Sequence, residues 1–201
     1  MSITLLRHGA TSACISGVLR GRRDDPLTEE GWQQMRAATA THLHPTHPET
    51  DAWQTIISSP LIRCAAFARE LAQARGLPLH VDDRLSELDF GAWEGRRLDE
   101  LMQDAEDKET LRRFWENPWQ QPPPQGETLT AFESRIRAAW QSLLTQHAGQ
   151  RVLVITHGGV IRLLLCAARG LPRHQLLQIE VANASLHTLA AHPLPSLCDD
   201  E

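Results

Sequence analysis

The chain has 201 residues, of which 41% are hydrophobic and 22% charged, and a formal net charge of −5. That apolar content excludes a disordered chain, and the length lets one large domain bury roughly 70% of its unfolded surface without disulfides or metal. The acidic balance argues against a general nucleic-acid binder, which needs a basic face.

Segments of strand type alternate with segments of helix type along the chain. Ile3 to Leu6 reads as a short buried strand. A loop from Gly9 to Pro26 follows. Thr28 can cap a helix whose first turn holds Glu29 and Glu30, where the helix dipole favours acids. Trp32, Met35, Thr39 and Leu43 then share a face, and the helix ends before Pro45. Thr55 to Ile57 is the next strand. Ser59 and Pro60 read as a cap and a first helical position for a helix that stops at Gly76. Pro78 to Val81 is a weaker strand, and a loop carries Glu87 to Gly95. Shorter helices reach Trp115, and the proline-rich stretch from Asn117 to Gly126 is a loop. Thr128 caps a helix with Phe132, Ile136, Trp140 and Leu143 on one face. Arg151 to Thr156 is the clearest strand, and His157-Gly158-Gly159 turns it into a helix ending at Gly170. Leu177 to Val181 and Ser185 to Ala190 read as two more strands, and the tail from His192 as frayed.

This alternation predicts an α/β fold, a three-layer α/β/α sandwich on a mostly parallel central sheet. Residues 1–201 form one domain in this reading, with a helical and proline-rich insert at about 96–127. Ligands in such sheets bind at the carboxyl ends of the strands, and the residues there are distinctive. The first strand ends in Arg7-His8-Gly9. The second leads through Ser58-Ser59 to Arg63. The loop after the third carries Glu87, and the fourth strand ends in His157-Gly158-Gly159.

The fold therefore gathers two Arg, two His and one Glu at one edge. Two guanidiniums match phosphate oxygens, and helix N-termini at Ser59 and Gly158 add backbone N–H groups. Imidazole is a competent nucleophile toward phosphorus, cations stabilise the transferring group, and a carboxylic acid can protonate the leaving alkoxide. Such chemistry needs no metal or other cofactor. Arg supplies nearly all the basic residues, Lys108 being the only Lys, and Arg suits fixed bidentate anion binding.

Leu-Leu-Arg7-His8-Gly9, Ser59-Pro60-Leu61-x-Arg63, Glu87 in Glu-x-x-Phe-Gly-x-Trp-Glu-Gly, and Thr156-His157-Gly158-Gly159 together resemble the histidine phosphatase superfamily, the phosphoglycerate-mutase-like group. The motifs occur in the family's order and span nearly the whole chain. The resemblance implies a phosphoglycerate-mutase-like fold with His8 as the phosphate-accepting nucleophile. It implies Arg7, Arg63 and His157 as the phosphate pocket, Glu87 as proton donor, and Gly158 as a backbone donor to phosphate. Glu94 is the alternative acid. Arg20, Gly21, Arg22 and Arg23 lie in the first loop near the expected phosphate, with Arg20 and Gly21 taken as substrate contacts.

The segment Glu87 to Gly95, with Phe114-Trp115-x-x-Pro118 and Gly126-Glu127, resembles the alpha-ribazole 5′-phosphate phosphatases of cobalamin nucleotide loop assembly. Trp93, Trp115 and Trp119 would then be candidates to stack on a flat base. Two positions depart from the family: Ala10 and Cys14 stand where Glu and Asn are usual, and that Asn normally lies near the phosphate. The alternatives are a broad-specificity histidine phosphatase, a phosphoglycerate-mutase-type phosphotransferase, and a phosphate-ligand binding module that has lost turnover.

The expected partner is a small phosphorylated substrate, with neither nucleic acid nor membrane. A homodimer is the base-rate expectation. No targeting segment or membrane span appears, and Cys14, Cys64, Cys166 and Cys198 form no CxxC pair, so reduced thiols in the cytoplasm are expected. His42, His44 and His47 have a metal-like spacing, but Pro45 interrupts them and a solvated loop is the expectation.

Overall fold

The computed structural model describes residues 2–12, 17–40 and 53–197. Five strands form one sheet in the order β3-β2-β4-β1-β5. They are β1 (Ser2–Arg7), β2 (Thr55–Ser58), β3 (Leu79–Val81), β4 (Arg151–Thr156) and β5 (Leu186–Ala190). The first four pair in parallel, and β5 runs antiparallel to β1 at one edge. The helices are α1 (Glu29–Ala40), α2 (Ile62–Arg75), α3 (Leu98–Leu101), α4 (Ala105–Glu116), α5 (Leu129–Gln146) and α6 (Gly158–Ala168).

Strand alternation divides the core into two layers. Ile3 and Leu5 of β1, Ile57 of β2, and Val152 and Val154 of β4 face a cluster with Phe132, Ile136 and Trp140 of α5 and Ile161 and Leu164 of α6. Leu6, Ile56, Leu153 and Ile155 face the opposite side, against Met35 of α1 and Phe67 and Leu71 of α2. Helices thus cover both faces of a mostly parallel sheet, the architecture the alternating sequence implies. The caps fall where the sequence places them. Thr28 Oγ accepts the Gly31 N–H, Thr128 Oγ accepts the Ala131 N–H, and Gly76 ends α2 in the left-handed conformation at φ 62°.

Three expectations change. The helix after β2 begins at Ile62, with Leu61 as its extended cap, not at Ser59-Pro60. Ser59 Oγ does accept the Leu61 N–H, but its hydroxyl also faces His157. Leu177 to Val181 is not a strand. Arg173–Gln178 forms 3₁₀ turns, and the carbonyls beyond are taken by side chains, Ile179 O by Arg162 Nε and Val181 O by Arg7. Arginines have replaced a neighbouring strand there. The tail is not frayed as far as Leu197: that side chain is buried in the core, and the carbonyls of His192, Leu194 and Pro195 accept from Trp140 and Arg137. Cys64 and Cys166 are buried and lie outside any disulfide. Cys14, Cys198, His42, His44, His47 and the helix end near Pro45 lie outside the described residues. Among the described residues, no helix is long and apolar enough to cross a membrane.

Because α5 contributes a fully buried stripe, truncating it is costly. Ile136→Ala should lower unfolding free energy by about 2–5 kcal/mol, whereas Gln141→Ala on the exposed face of the same helix should stay within about 0.5 kcal/mol. Urea titration of both variants checks the difference.

Candidate active site

Strand register sets the site. Arg7 pairs with Thr156, and Ser58 with Ile155, so the carboxyl ends of β1, β4 and β2 finish level. The next residues are His8, His157 and Ser59. His8 N–H donates to Thr156 O and Ser59 N–H to Ile155 O, each at 3.0 Å, which carries the alignment one residue past the strands. A cavity of about 510 Å³ opens at this edge, within the usual range for small-molecule sites.

Arg7, His8, Arg63, Glu87 and Arg20 all line it. His8 is 6% exposed, and its Nδ1 lies 2.8 Å from Gly9 O. A carbonyl only accepts, so Nδ1 carries the proton and Nε2 keeps its lone pair. Burial, reinforced by Arg63, lowers the His8 pKa from 6.5 to about 3. The ring is therefore a neutral imidazole at physiological pH.

Arg63 is 3% exposed. Its Nη1 donates to Arg23 O at 2.8 Å, its Nη2 to Gly21 O at 2.7 Å, and its Nε to His157 Nδ1 at 3.3 Å. Three of the five guanidinium N–H groups are thus committed, which leaves one on each terminal nitrogen. Arg7 is held on the other side by Val181 O.

His157 is fully buried and packs edge-on to His8, with ring centroids 5.3 Å apart. It stands behind the cavity wall, both ring nitrogens engaged by Ser59 and Arg63. Burial first, and Arg63 second, hold its pKa well below the ordinary value.

Glu87 is fixed by the backbone. Its Oε1 accepts from Leu88 N–H at 3.0 Å and its Oε2 from Gly159 N–H at 3.1 Å. A Cβ on Gly159 would meet Glu87 Oε1 at 2.3 Å. Gly159, which lines the cavity, is therefore the glycine this arrangement requires. At Gly158 a Cβ would meet only ordinary contacts with Arg7 and Arg162.

Several expectations resolve differently. Arg20 lines the cavity but is ion-paired with Asp25. Gly21 stays out of the lining; its carbonyl steadies Arg63, and a Cβ there would strike Leu88 O and Glu94. Glu94 is not at the cavity: it accepts from the backbone N–H groups of Arg22, Arg23 and Phe90, and so pins the first loop to the Glu87 loop. Of the three tryptophans, Trp115 lines the cavity, 46% exposed. Trp93 is buried beneath Phe114, and Trp119 stacks under Arg173.

Three residues escape sequence reasoning. Arg162 lines the cavity, one helical turn beyond Gly158 and on the same face, a spacing that could have flagged it. Asn183 lines it from the turn before β5. Arg135 donates to the carbonyls of Arg84, Ser86 and Glu87 and pairs with Glu127. It holds the Glu87 loop from behind, and nothing local in the sequence announces that.

A neutral, oriented imidazole, two guanidiniums and a backbone-held carboxyl are the parts of a phosphoryl-transfer site. A sequence model of the histidine phosphatase superfamily (branch 1) matches residues 3–193. A probable phosphoglycerate mutase GpmB of Yersinia pestis (strain Pestoides F) is 32% identical over 186 residues, 92% of this chain and 83% of that protein. The alpha-ribazole phosphatase from Shigella flexneri has a TM-score of 0.78 at 29% identity, over 100% of this chain and 99% of that one. Bacillus stearothermophilus YhfR gives 0.83 at 29% identity, covering 96% and 93%.

The buried histidines make stability depend on pH with a definite sign. Unfolded, His8 protonates below about 6.5; folded, it stays neutral down to about 3. Between these values the unfolded chain binds more protons, so stability is full above pH 6.5 and is lost as pH falls through the window, by up to about 1.4 kcal/mol per pH unit for each such histidine. Urea unfolding at pH 7, 6, 5 and 4 should show a shallower loss for His8→Ala than for the wild type. Parallel curves would contradict the assignment.

Proposed function

The chain belongs to the histidine phosphatase superfamily, and from that premise we propose that it is a metal-independent phosphomonoesterase working through a phosphohistidine on His8, with alpha-ribazole 5′-phosphate as its substrate. The observation that carries the reading is the His8 ring. It is neutral, its Nδ1 proton is tied to Gly9 O, and its Nε2 lone pair is free beside two guanidiniums.

In the first step Nε2 forms an N–P bond while the P–O ester bond breaks. Glu87 gives its proton to the departing alkoxide oxygen, and the Gly9 carbonyl stabilises the charge that develops on the imidazole through Nδ1–H. Arg7 and the two uncommitted N–H groups of Arg63 neutralise the transferring oxygens. In the second step the Glu87 carboxylate takes a proton from water, the water oxygen forms the new P–O bond, and the N–P bond breaks. Inorganic phosphate leaves and His8 returns to its neutral form.

The substrate assignment rests on the far end of the cavity. Phe90, Phe114, Trp115, Leu176 and Leu177 make that wall, an apolar surface suited to a flat base and of no use to a three-carbon acid. Phe114 and Trp115 come from α4, so in this reading the 96–127 insert supplies part of the surface for the leaving group. The likeness to an alpha-ribazole phosphatase along the full chain supports the same substrate, and with it a place in cobalamin nucleotide loop assembly. A mutase reading draws on the GpmB relative; product analysis with a bisphosphate primer separates the two.

Phosphate release should persist with chelator present, and kcat/KM for alpha-ribazole 5′-phosphate should exceed that for a simple aryl phosphate by a hundredfold, about 2.7 kcal/mol. Equal values would leave a broad-specificity phosphatase. His8→Ala should lower kcat by roughly three orders of magnitude or more and abolish acid-quenched phosphoenzyme. Binding without turnover in the wild type would point to a ligand-binding module instead.

Glu87→Gln should cost about 10²–10⁴ in kcat on an alkyl ester. Its effect should be much smaller with 4-nitrophenyl phosphate, whose leaving group needs no proton. A uniform loss on both substrates would remove Glu87 from the acid role.

A further inference from the structure

Ser59, the residue directly after β2, is fully buried, and its Oγ lies 2.7 Å from His157 Nε2. Across the ring, Arg63 Nε lies 3.3 Å from Nδ1. A guanidinium N–H can only donate, so Nδ1 is the acceptor and carries no proton. In a neutral imidazole the proton then sits on Nε2 and is donated to Ser59 Oγ. The oxygen also accepts the Leu61 N–H at 3.3 Å. Cys64 Sγ, 3.7 Å from Nε2 and 3.9 Å from Nδ1, closes the side of the ring and points its own hydrogen at Thr156 O.

We infer that Ser59 is a positioning residue that locks His157 in the Nε2–H tautomer, so that Nδ1 receives Arg63 Nε–H and, with the Gly21 and Arg23 carbonyls, fixes the plane of the Arg63 guanidinium. Without the hydroxyl, Nε2–H is left with only the weakly accepting sulfur of Cys64, 3.7 Å away, a costly state for a buried donor. The ring relieves it by moving the proton to Nδ1. That nitrogen then confronts Arg63 Nε–H, donor against donor, and the guanidinium is driven out of its plane. The two N–H groups meant for phosphoryl oxygens no longer align as a fork. Ser59 acts through His157 and Arg63 and does not touch substrate.

The effect on turnover rests on the reading that Arg63 binds the phosphoryl group, which wild-type phosphatase activity tests; the tautomer is tested separately in the resting protein. Long-range ¹H–¹⁵N correlation on histidine-labelled protein, with His157 assigned by comparison with His157→Gln, should show a pyrrole-type Nε2 and a pyridine-type Nδ1. Ser59→Ala should shift protonation toward Nδ1 and lower kcat tenfold to a hundredfold. Ser59→Thr, which keeps the hydroxyl, should restore the wild-type tautomer and most of the rate. A wild-type His157 protonated on Nδ1, or on both nitrogens, overturns the proposal without any variant. So does a slow Ser59→Ala enzyme whose tautomer is unchanged, since its defect would then be structural only.

Discussion

A buried guanidinium organises this site. Arg63 belongs to α2, yet its three protein contacts come from elsewhere, two from the first loop and one from the residue after β4. An unpaired charge at this depth would be prohibitively expensive. Here Arg63 has no carboxylate among those contacts and is satisfied by two carbonyls and an imidazole, so its positive charge stays available to the cavity. The same charge, added to burial, keeps both His8 and His157 unprotonated. One side chain thus lends positive charge to the cavity and helps keep the His8 ring neutral. The two effects cannot be separated by moving Arg63, because both depend on its distance from the rings.

Glu87 is held by an independent set of contacts. Its carboxyl meets two backbone N–H groups, one of them from the first turn of α6, and its peptide carbonyl is held by Arg135 from α5. The glycine at 159 makes room for the carboxyl. Arg63 and the carboxyl are therefore held from different faces of the sheet. Arg63 and the ring of His157 are braced from the α1/α2 side, Glu87 from the α5/α6 side. Only the level strand ends bring the two into one cavity.

Much of this was legible in the sequence. The four parallel strands are short and mostly apolar, and the polar residue following each marks the sheet edge. Thr28, Thr128 and Gly76 announce helix boundaries through side-chain oxygens or a left-handed turn, which are local effects. What could not be read is whatever depends on distant groups. Ser59-Pro60 looks like a helix start because Ser and Pro favour it locally, but the Ser59 hydroxyl also has a buried partner nearly a hundred residues away. Leu177 to Val181 has strand-like residues, but its carbonyls are captured by Arg7 and Arg162. Glu94 has the residue type of an acid catalyst and is instead spent on three backbone N–H groups. Gly21 is near the site, as expected, but faces the back of Arg63.

The cavity has two ends with different mechanical character. At the histidine end, His8, Arg63 and Glu87 are tied to main-chain atoms, directly or through one ring, so their geometry follows the sheet. At the other end, Trp115 stands half exposed on α4, braced by Phe114 and not by hydrogen bonds, with ring centroids 5.1 Å apart. Apolar contacts are non-directional, so that wall can be reshaped by substitution without disturbing the hydrogen-bonded end. A fold built this way can keep its charged residues in place while its apolar wall changes. That accounts physically for relatives of similar overall identity carrying mutase and phosphatase names. The ionisable groups of the cavity take their positions from backbone register, and the apolar wall around Trp115 does not.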